Sequence, residues 1–431
     1  MKIRRTLAAF SLAAFASGLA HGASHESKAK EAKDDDALSL ADQTPQAEKR
    51  APTAWRAFGE LAASRNSLRG AADAQGEARL SLDLRYDGTL APGWRFVFSD
   101  RLDLARRDEA PRENNVNTLR EGYLSWQASP EFAVDVGRVN LRYGAAFGYN
   151  PTDFFKEGAL RSIVSLDPPS LRENRQGTFV VQAQRLWAGS ALSLAVSPDL
   201  GRDAPSDATW SLDTGATNPR NRWLLAASHK FGDAFNPQLL VYGGERTPTQ
   251  VGLNLSALVG SSTVAFAEVA SGRGLPLAAH ALGAPGSEHS QRRASLGFTH
   301  TTPFNLALTV EAEYDGAAPT RTEWNALTAG QPLNALLLLA EAERRQDLPT
   351  RNALFMHARW QDAFTPGLDL SAFVRRDGET RSQTRWVEAR YRWQRRFEFA
   401  AQWLHFAGTA GSAYGSMPIT HSVQLSARAY F

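Results

Sequence analysis

The fold class that the sequence predicts is all-β: a transmembrane antiparallel β-barrel of about 18 strands, with long extracellular loops and 16 strands as the alternative count. Three observations carry this. Segments of strict apolar–polar alternation, many of them about 9–11 residues long, recur from Trp55 to Phe431. The links between them alternate between short and long. Aromatic residues gather near the segment ends, in phase with the apolar side.

Composition agrees. The chain has 431 residues, rich in Phe, Trp, Tyr and Gly, and no Cys. A large barrel forms one unit at this length. Without Cys there are no disulfides, no thiolate nucleophile and no thiolate metal site. The formal charge of +3 equals the contribution of Lys2, Arg4 and Arg5. Those three lie in residues 1–23, which read as a secretory signal: a basic start, an apolar stretch Leu7–Ala16 and small residues before a cleavage point around 20–23. An N-terminal membrane anchor is the weaker alternative, because the apolar run falls short of the roughly 20 residues a spanning helix needs. The remaining chain is near neutral, with no run of cations interleaved with aromatics. No nucleic-acid partner is expected. Residues 24–50 are polar and read as a flexible periplasmic lead-in. Residues 51–431 are the barrel.

Taken in order, the candidate strands are 54–63, 76–87, 93–105, 116–127, 131–139, 177–187, 190–197, 221–231, 237–245, 248–259, 262–271, 291–301, 303–314, 351–362, 367–376, 382–393, 395–406 and 421–431. In the second, Arg79, Ser81, Asp83 and Arg85 alternate with Leu80, Leu82, Leu84 and Tyr86. After a Pro-Gly turn, Trp94, Phe96 and Phe98 alternate with Arg95, Val97 and Ser99. Asp100 breaks the pattern by falling on the apolar side, so a bulge or an exit from the bilayer is expected there. Glu268 raises the same difficulty beside Val264 and Phe266. Short links include 127–130, 231–236, 301–303 and 394–395. Long ones are 64–75, 106–115, 140–176, 198–220, 272–290, 315–350 and 407–420. Trp94, Trp126, Trp223, Tyr314, Trp360, Trp393, Trp403 and Phe431 sit where interface girdles belong.

Two long links stand out. Residues 140–176 mix aromatics, turn formers and charges, and a loop of this length is usually functional or disordered. Tyr149, Asp153, Phe154, Phe155, Arg161, Asp167 and Arg172 are the candidate constriction residues if it folds inward. An ordered cap outside the barrel is the equal alternative. Residues 333–345 have apolar positions at helical spacing, and a short amphipathic helix is expected.

No hydrolase elbow, zinc-protease helix, phosphate loop or dinucleotide fingerprint occurs. His229, His280, His289, His300, His357, His405 and His421 are scattered. No cofactor and no metal are expected. What remains is the lumen face. Phasing each strand by its apolar set turns Arg79, Asp83, Arg85, Arg95, Arg101, Asp103, Asp135, Glu311, Glu313, Arg359, Arg375, Glu388, Arg390, Arg392, Glu398 and Arg428 inward. Arg359, Arg375, Arg390 and Arg392 come from three consecutive strands and form a candidate basic strip beside Glu311 and Glu313. Such opposed charge orients solutes in a pore. Mutual pairing that merely stiffens the wall is the competing reading.

The last stretch, Thr420 to Phe431, alternates strictly and stops on an aromatic residue. It resembles the closing strand of Gram-negative outer-membrane barrels, and residues 51–431 resemble porins in pattern. The resemblance implies export to the cell outer membrane and contact with its lipid. It also implies that the assembly machinery reads Phe431 and that small hydrophilic solutes, anionic ones among them, pass by diffusion. Substrate-selective uptake porins and barrels that export acidic polysaccharide share the pattern. An outer-membrane barrel enzyme of the lipase or protease type is a further alternative. The resemblance leaves the oligomeric state open.

Overall fold

A computed structural model describes residues 54–107, 115–201, 209–232, 234–283 and 286–431. The expected signal segment 1–23 and lead-in 24–50 lie outside the described residues.

Eighteen antiparallel strands form one sheet. They are β1 (Trp55–Leu68), β2 (Ala74–Ala91), β3 (Trp94–Arg107), β4 (Val116–Ser129), β5 (Phe132–Val139), β6 (Thr178–Trp187), β7 (Ser190–Ser197), β8 (Arg222–His229) and β9 (Phe235–Gly244), followed by β10 (Thr247–Val259), β11 (Thr263–Gly274), β12 (His289–Thr301), β13 (Leu306–Asp315), β14 (Asn352–Trp360), β15 (Leu368–Asp377), β16 (Gln383–Trp393), β17 (Phe397–Ala407) and β18 (Ile419–Tyr430). Each pairs with its neighbours in sequence, and β18 returns to β1 from Phe58↔Tyr430 to Leu68↔Ile419. The sheet therefore closes and leaves no edge with unpaired N–H and C=O groups, as a lipid-embedded sheet requires.

Every segment read from alternation overlaps one of these strands. Their ends differ most at β1 and β2, which shorten the expected link 64–75 to residues 69–73. There Arg65 and Ser67 replace apolar outward residues, so the pattern fades while the ladder continues through Arg65↔Gly76 and Ser67↔Ala74. The links at one end of the barrel are all short; the long ones all lie at the other end, together with the short links 69–73, 245–246 and 378–382.

Lipid-side packing follows the alternation. On β18, Val423 and Leu425 are exposed, whereas Ser422 and Gln424 are buried inside. Trp94 and Trp126 stack on the outer face with centroids 5.9 Å apart. Asp100 remains on that face: the pairing slips between Ser99 and Asp100, but the extra residue is Arg120 across on β4, and Asn117 Nδ2 donates to Asp100 at 3.0 Å. On β11 the phase is the reverse of the sequence reading. Phe266 and Glu268 are both buried inside, and Val269 is among the outward residues. The expected conflict at Glu268 disappears because the apolar Phe266 packs inward as well.

The long links fold back over the interior. Residues 333–345 are helical as expected, within Pro332–Arg345, and a second helix, Arg321–Thr328, starts in a capping box of Thr320 and Glu323. Leu338, Leu339 and Trp324 join inward residues Phe355, Phe373, Trp386, Leu404 and Phe406 in one apolar core. No helix among the described residues is long and apolar enough to cross a membrane.

Candidate functional site

The interior is organised by residues 140–176. This loop does not sit outside the barrel as a cap. It lies across the lumen and is held by inward side chains from opposite walls. On one wall, Glu311 of β13 accepts three successive backbone N–H groups, from Phe147 (2.8 Å), Gly148 (3.0 Å) and Tyr149 (2.8 Å). Glu268 of β11 accepts from Ala146 N–H at 2.6 Å, from Thr152 Oγ1 at 3.0 Å and from Asn150 Nδ2 at 3.2 Å. Arg375 of β15 donates to the Gly148 carbonyl and, at 2.7 Å, to Glu313. The Tyr149 hydroxyl donates to Asp315 at 3.0 Å. On the other wall, Ser162 donates to Asp103 of β3, and Arg79 of β2 donates to the Ile163 carbonyl at 3.2 Å. Back on the first wall, Ser165 donates to Glu388 of β16 at 2.8 Å, and Asp167 meets His357 of β14 at 3.3 Å.

Local backbone chemistry makes this possible. A Cβ on Gly148 would stand 2.2 Å from Glu313 Oε1 and 2.6 Å from the Phe355 ring. Only glycine lets the chain pass that close. Gly144 has φ +91°, a conformation that L side chains rarely adopt.

All seven constriction candidates lie inside. Tyr149 is bonded to Asp315 as described. Asp153 takes two bonds from Arg175, at 2.8 and 3.1 Å. Phe154 stacks on Tyr242 with centroids 4.8 Å apart, and Phe155 meets the same ring edge-on. Both belong to an apolar cluster with Val180, Leu224 and Leu240 on the inner faces of β6, β8 and β9. Arg161 pairs with Asp213 at 3.2 Å. Arg172 donates to the carbonyls of Tyr143 and Gly144 at 2.6 and 2.9 Å.

Glu157, lower in the same loop, accepts from Arg344 and Arg220 and so ties the loop to the helix Pro332–Arg345. Burial opposes its ionisation, but the guanidiniums of Arg345, Arg344 and Arg220 outweigh that and hold Glu157 well below the usual carboxylate range.

The eleven charges read as pore-lining all face inward, and burial divides them. Arg101, Arg375, Glu311 and Glu313 are at most 3% exposed and are engaged with the wall or the loop. Arg428 is 8% exposed and bridges Glu60 and, at 2.7 Å, Glu398. The more accessible set is Arg79, Arg85, Arg95, Arg390 and Arg392, with side chains 15–45% exposed. Arg359 lies at the turn end of β14, in reach of Asp167. The basic strip is matched by acids. Arg390 pairs with Glu388 at 2.7 Å, Arg392 with Asp369 at 3.2 Å and Arg95 with Asp87 at 2.6 Å.

Three residues that organise the interior escaped the sequence reading. Glu60 of β1 takes Arg101 at 2.8 Å, Arg79 at 3.2 Å and Arg428. Its inward phase was available, since it alternates with Leu61. Glu268 was seen only as an anomaly. Arg120 reaches Asp83 at 2.6 Å only because the bulge on β4 turns it inward.

Hydroxyl–imidazole contacts form between strands: Ser67 with His421 at 2.9 Å, Ser190 with His229 at 2.6 Å and Thr263 with His300 at 2.9 Å. Among the described residues none of these rings is bonded to a carboxylate at its second nitrogen, and no cluster with the makings of a metal site occurs.

No protein-family model matches the chain, and no curated protein matches it in sequence. Solved structures do match. OccAB1 of Acinetobacter baumannii superposes with TM-score 0.56 at 9% identity, over 88% of this chain and 96% of that one. OpdQ of Pseudomonas aeruginosa gives 0.52 at 11%, over 88% and 99%. The outer membrane protein opdK of Pseudomonas aeruginosa gives 0.50 at 10%, over 88% and 98%. The chain has the fold of an outer-membrane barrel. At these identities the likeness is one of fold.

Proposed function

We propose that this protein is an outer-membrane channel for passive passage of small hydrophilic solutes, anionic ones among them. The observation that carries the reading is a closed barrel with an apolar outer face and a charged interior crossed by residues 140–176. An 18-strand cylinder is wide enough to hold an aqueous path, and a loop across it sets the bore. Arg79, Arg85, Arg95, Arg359, Arg390 and Arg392 are the inward cations with access to that path, and their acidic partners give it a transverse field. The named neighbour that is an outer membrane protein supports the location. Residues 1–23 are then a cleaved export signal, 24–50 a periplasmic lead-in, and Phe431 the residue the assembly machinery recognises.

The test is conductance of the purified chain in planar bilayers. Discrete steps, with a reversal potential displaced toward anion preference in a salt gradient, are expected. Absence of steps across a range of salt and voltage overturns the open-channel reading and leaves a sealed barrel or an enzyme.

A further inference from the structure

The lipid-facing surface of β15, β16, β17, β18 and β1 is charged in one place only. Its outward residues, traced strand by strand, include no carboxylate. Its arginines and histidines are Arg376, Arg385, His405, His421 and Arg65, with Arg69 just beyond, and all lie at the long-loop end. Arg385, His405, His421 and Ser67 are direct cross-strand partners in one row (Arg385↔His405, His405↔His421, Ser67↔His421). Arg376 stands two residues above this row, opposite Gln383, and Arg65 two residues below Ser67. Arg385, His421 and Arg69 face His405 electrostatically, and Trp403 stacks beneath its ring at 5.5 Å. Among the described residues, Arg65, Arg69, Arg376 and Arg385 make no ion pair with a carboxylate, in contrast to the matched cations of the lumen.

Height fixes what this row meets. Below Arg385 the outward residues of β16 are Val387, Ala389, Tyr391 and Trp393, and below His421 those of β18 are Val423, Leu425, Ala427 and Ala429. From Trp393 to Arg385 is about 26 Å along the strand, or about 20 Å in height at a usual barrel tilt. That is close to the apolar band of an outer-membrane barrel, so the row lies at headgroup level on the side of the long loops. Cations left unpaired at that level, backed by apolar surface, complement an anion whose acyl chains cover the surface below. Arg forks match phosphate oxygens bidentately. The row spans three inter-strand steps, about 14 Å, which is room for more than one phosphate.

We infer that this face of the barrel binds the phosphate groups of a phosphorylated lipid in the outer leaflet, with Arg376, Arg385, His405, His421, Ser67 and Arg65 as the cradle. The inference rests on the outer-membrane reading and is independent of whether the lumen conducts. The test uses the full chain purified in detergent and titrated, by native mass spectrometry, with diphosphorylated lipid A, with dephosphorylated lipid A and with inorganic phosphate. The wild type should prefer the diphosphorylated lipid at least tenfold over either of the others. Arg376→Gln/Arg385→Gln/His421→Gln should abolish that preference, and Arg385→Gln alone should weaken it severalfold if the triple variant does not fold. Equal binding of both lipids, retention of the preference in the variants, or inorganic phosphate binding as tightly as the lipid would each overturn it. Single-channel conductance of the same variants should match the wild type, because these side chains face away from the lumen; the conductance reports separately on the channel reading.

Discussion

Glu311→Gln is the sharpest perturbation of the interior. The Glu311 carboxylate gathers three backbone N–H groups of the lumen loop at 2.8–3.0 Å, in a site with no exposure to solvent. A hydrogen bond to a charged acceptor contributes about 1.5–3 kcal/mol. Glutamine keeps the shape and one acceptor oxygen. With that oxygen at the Oε2 position, Phe147 and Gly148 retain weaker bonds, and the new amide faces the Tyr149 N–H donor to donor. One charged bond is lost and a buried donor is left without an acceptor, a cost of about 2–4 kcal/mol. The undocked population of this stretch then rises about 30- to 1,000-fold, since 1.4 kcal/mol is a factor of ten. The assay is single-channel recording in planar bilayers. Glu311→Gln should show frequent excursions to a higher conductance that are rare in the wild type, with the barrel itself intact by heat-dependent gel mobility. A folded variant whose current level and noise equal those of the wild type would refute the assignment of Glu311 as the anchor of the loop.

Further expectations follow from the same geometry. Gly148→Ala forces a Cβ into Glu313 and the Phe355 ring, so it should displace the loop more than Glu311→Gln does and raise mean conductance; an unchanged current would mean the loop passes elsewhere. Neutralising Arg79, Arg85, Arg95, Arg390 and Arg392 together should move the reversal potential toward cations, whereas the same change confined to buried Arg101 should lower barrel stability without that shift. Because the folded-state carboxyl of Glu157 titrates below its unfolded value, the contact between the loop and the helix Pro332–Arg345 is stabilised above the ordinary carboxylate range and lost as pH falls beneath it. Amide protection factors in that helix, corrected for the intrinsic pH dependence of exchange, should therefore be flat from pH 7 to about 5 and fall below about 4; protection that is independent of pH in Glu157→Gln and wild type alike would contradict it. Deleting Phe431, whose N–H bonds the Ala57 carbonyl at 3.0 Å, should reduce membrane insertion before it alters any current.

Sequence periodicity located all eighteen strands because each must present one face to lipid, although the inward Phe266 reversed the phase read for β11. The closing contact obeys the same phase: inward Gln424, Ser426 and Arg428 of β18 pair with Ser64, Ala62 and Glu60 of β1. The lumen was harder to read for a physical reason. Phase says which way a side chain points, not what lies over it. Arg101 and Arg95 sit on one face of β3, yet the first is sealed under a carboxylate cluster and the second is 38% exposed at its side chain. The inner apolar residues Leu224, Leu240, Phe355 and Trp386 look out of place in a water-filled cylinder until residues 140–176 and the helical links are laid on them. The lumen loop itself left both positions open because its anchors, Glu268 and Glu311, lie more than a hundred residues away in sequence. The outward basic row was legible in principle: Arg385, His405 and His421 all fall in phase with the lipid side of their strands.

The account turns on a channel whose bore is set by the loop across it. The most direct measurement is the single-channel conductance of the full chain against that of a variant lacking residues 150–170, both reconstituted in planar bilayers. The account predicts small, discrete steps for the full chain and steps several times larger for the deletion. Equal conductance in the two, or a deletion variant that folds and conducts nothing, would contradict it.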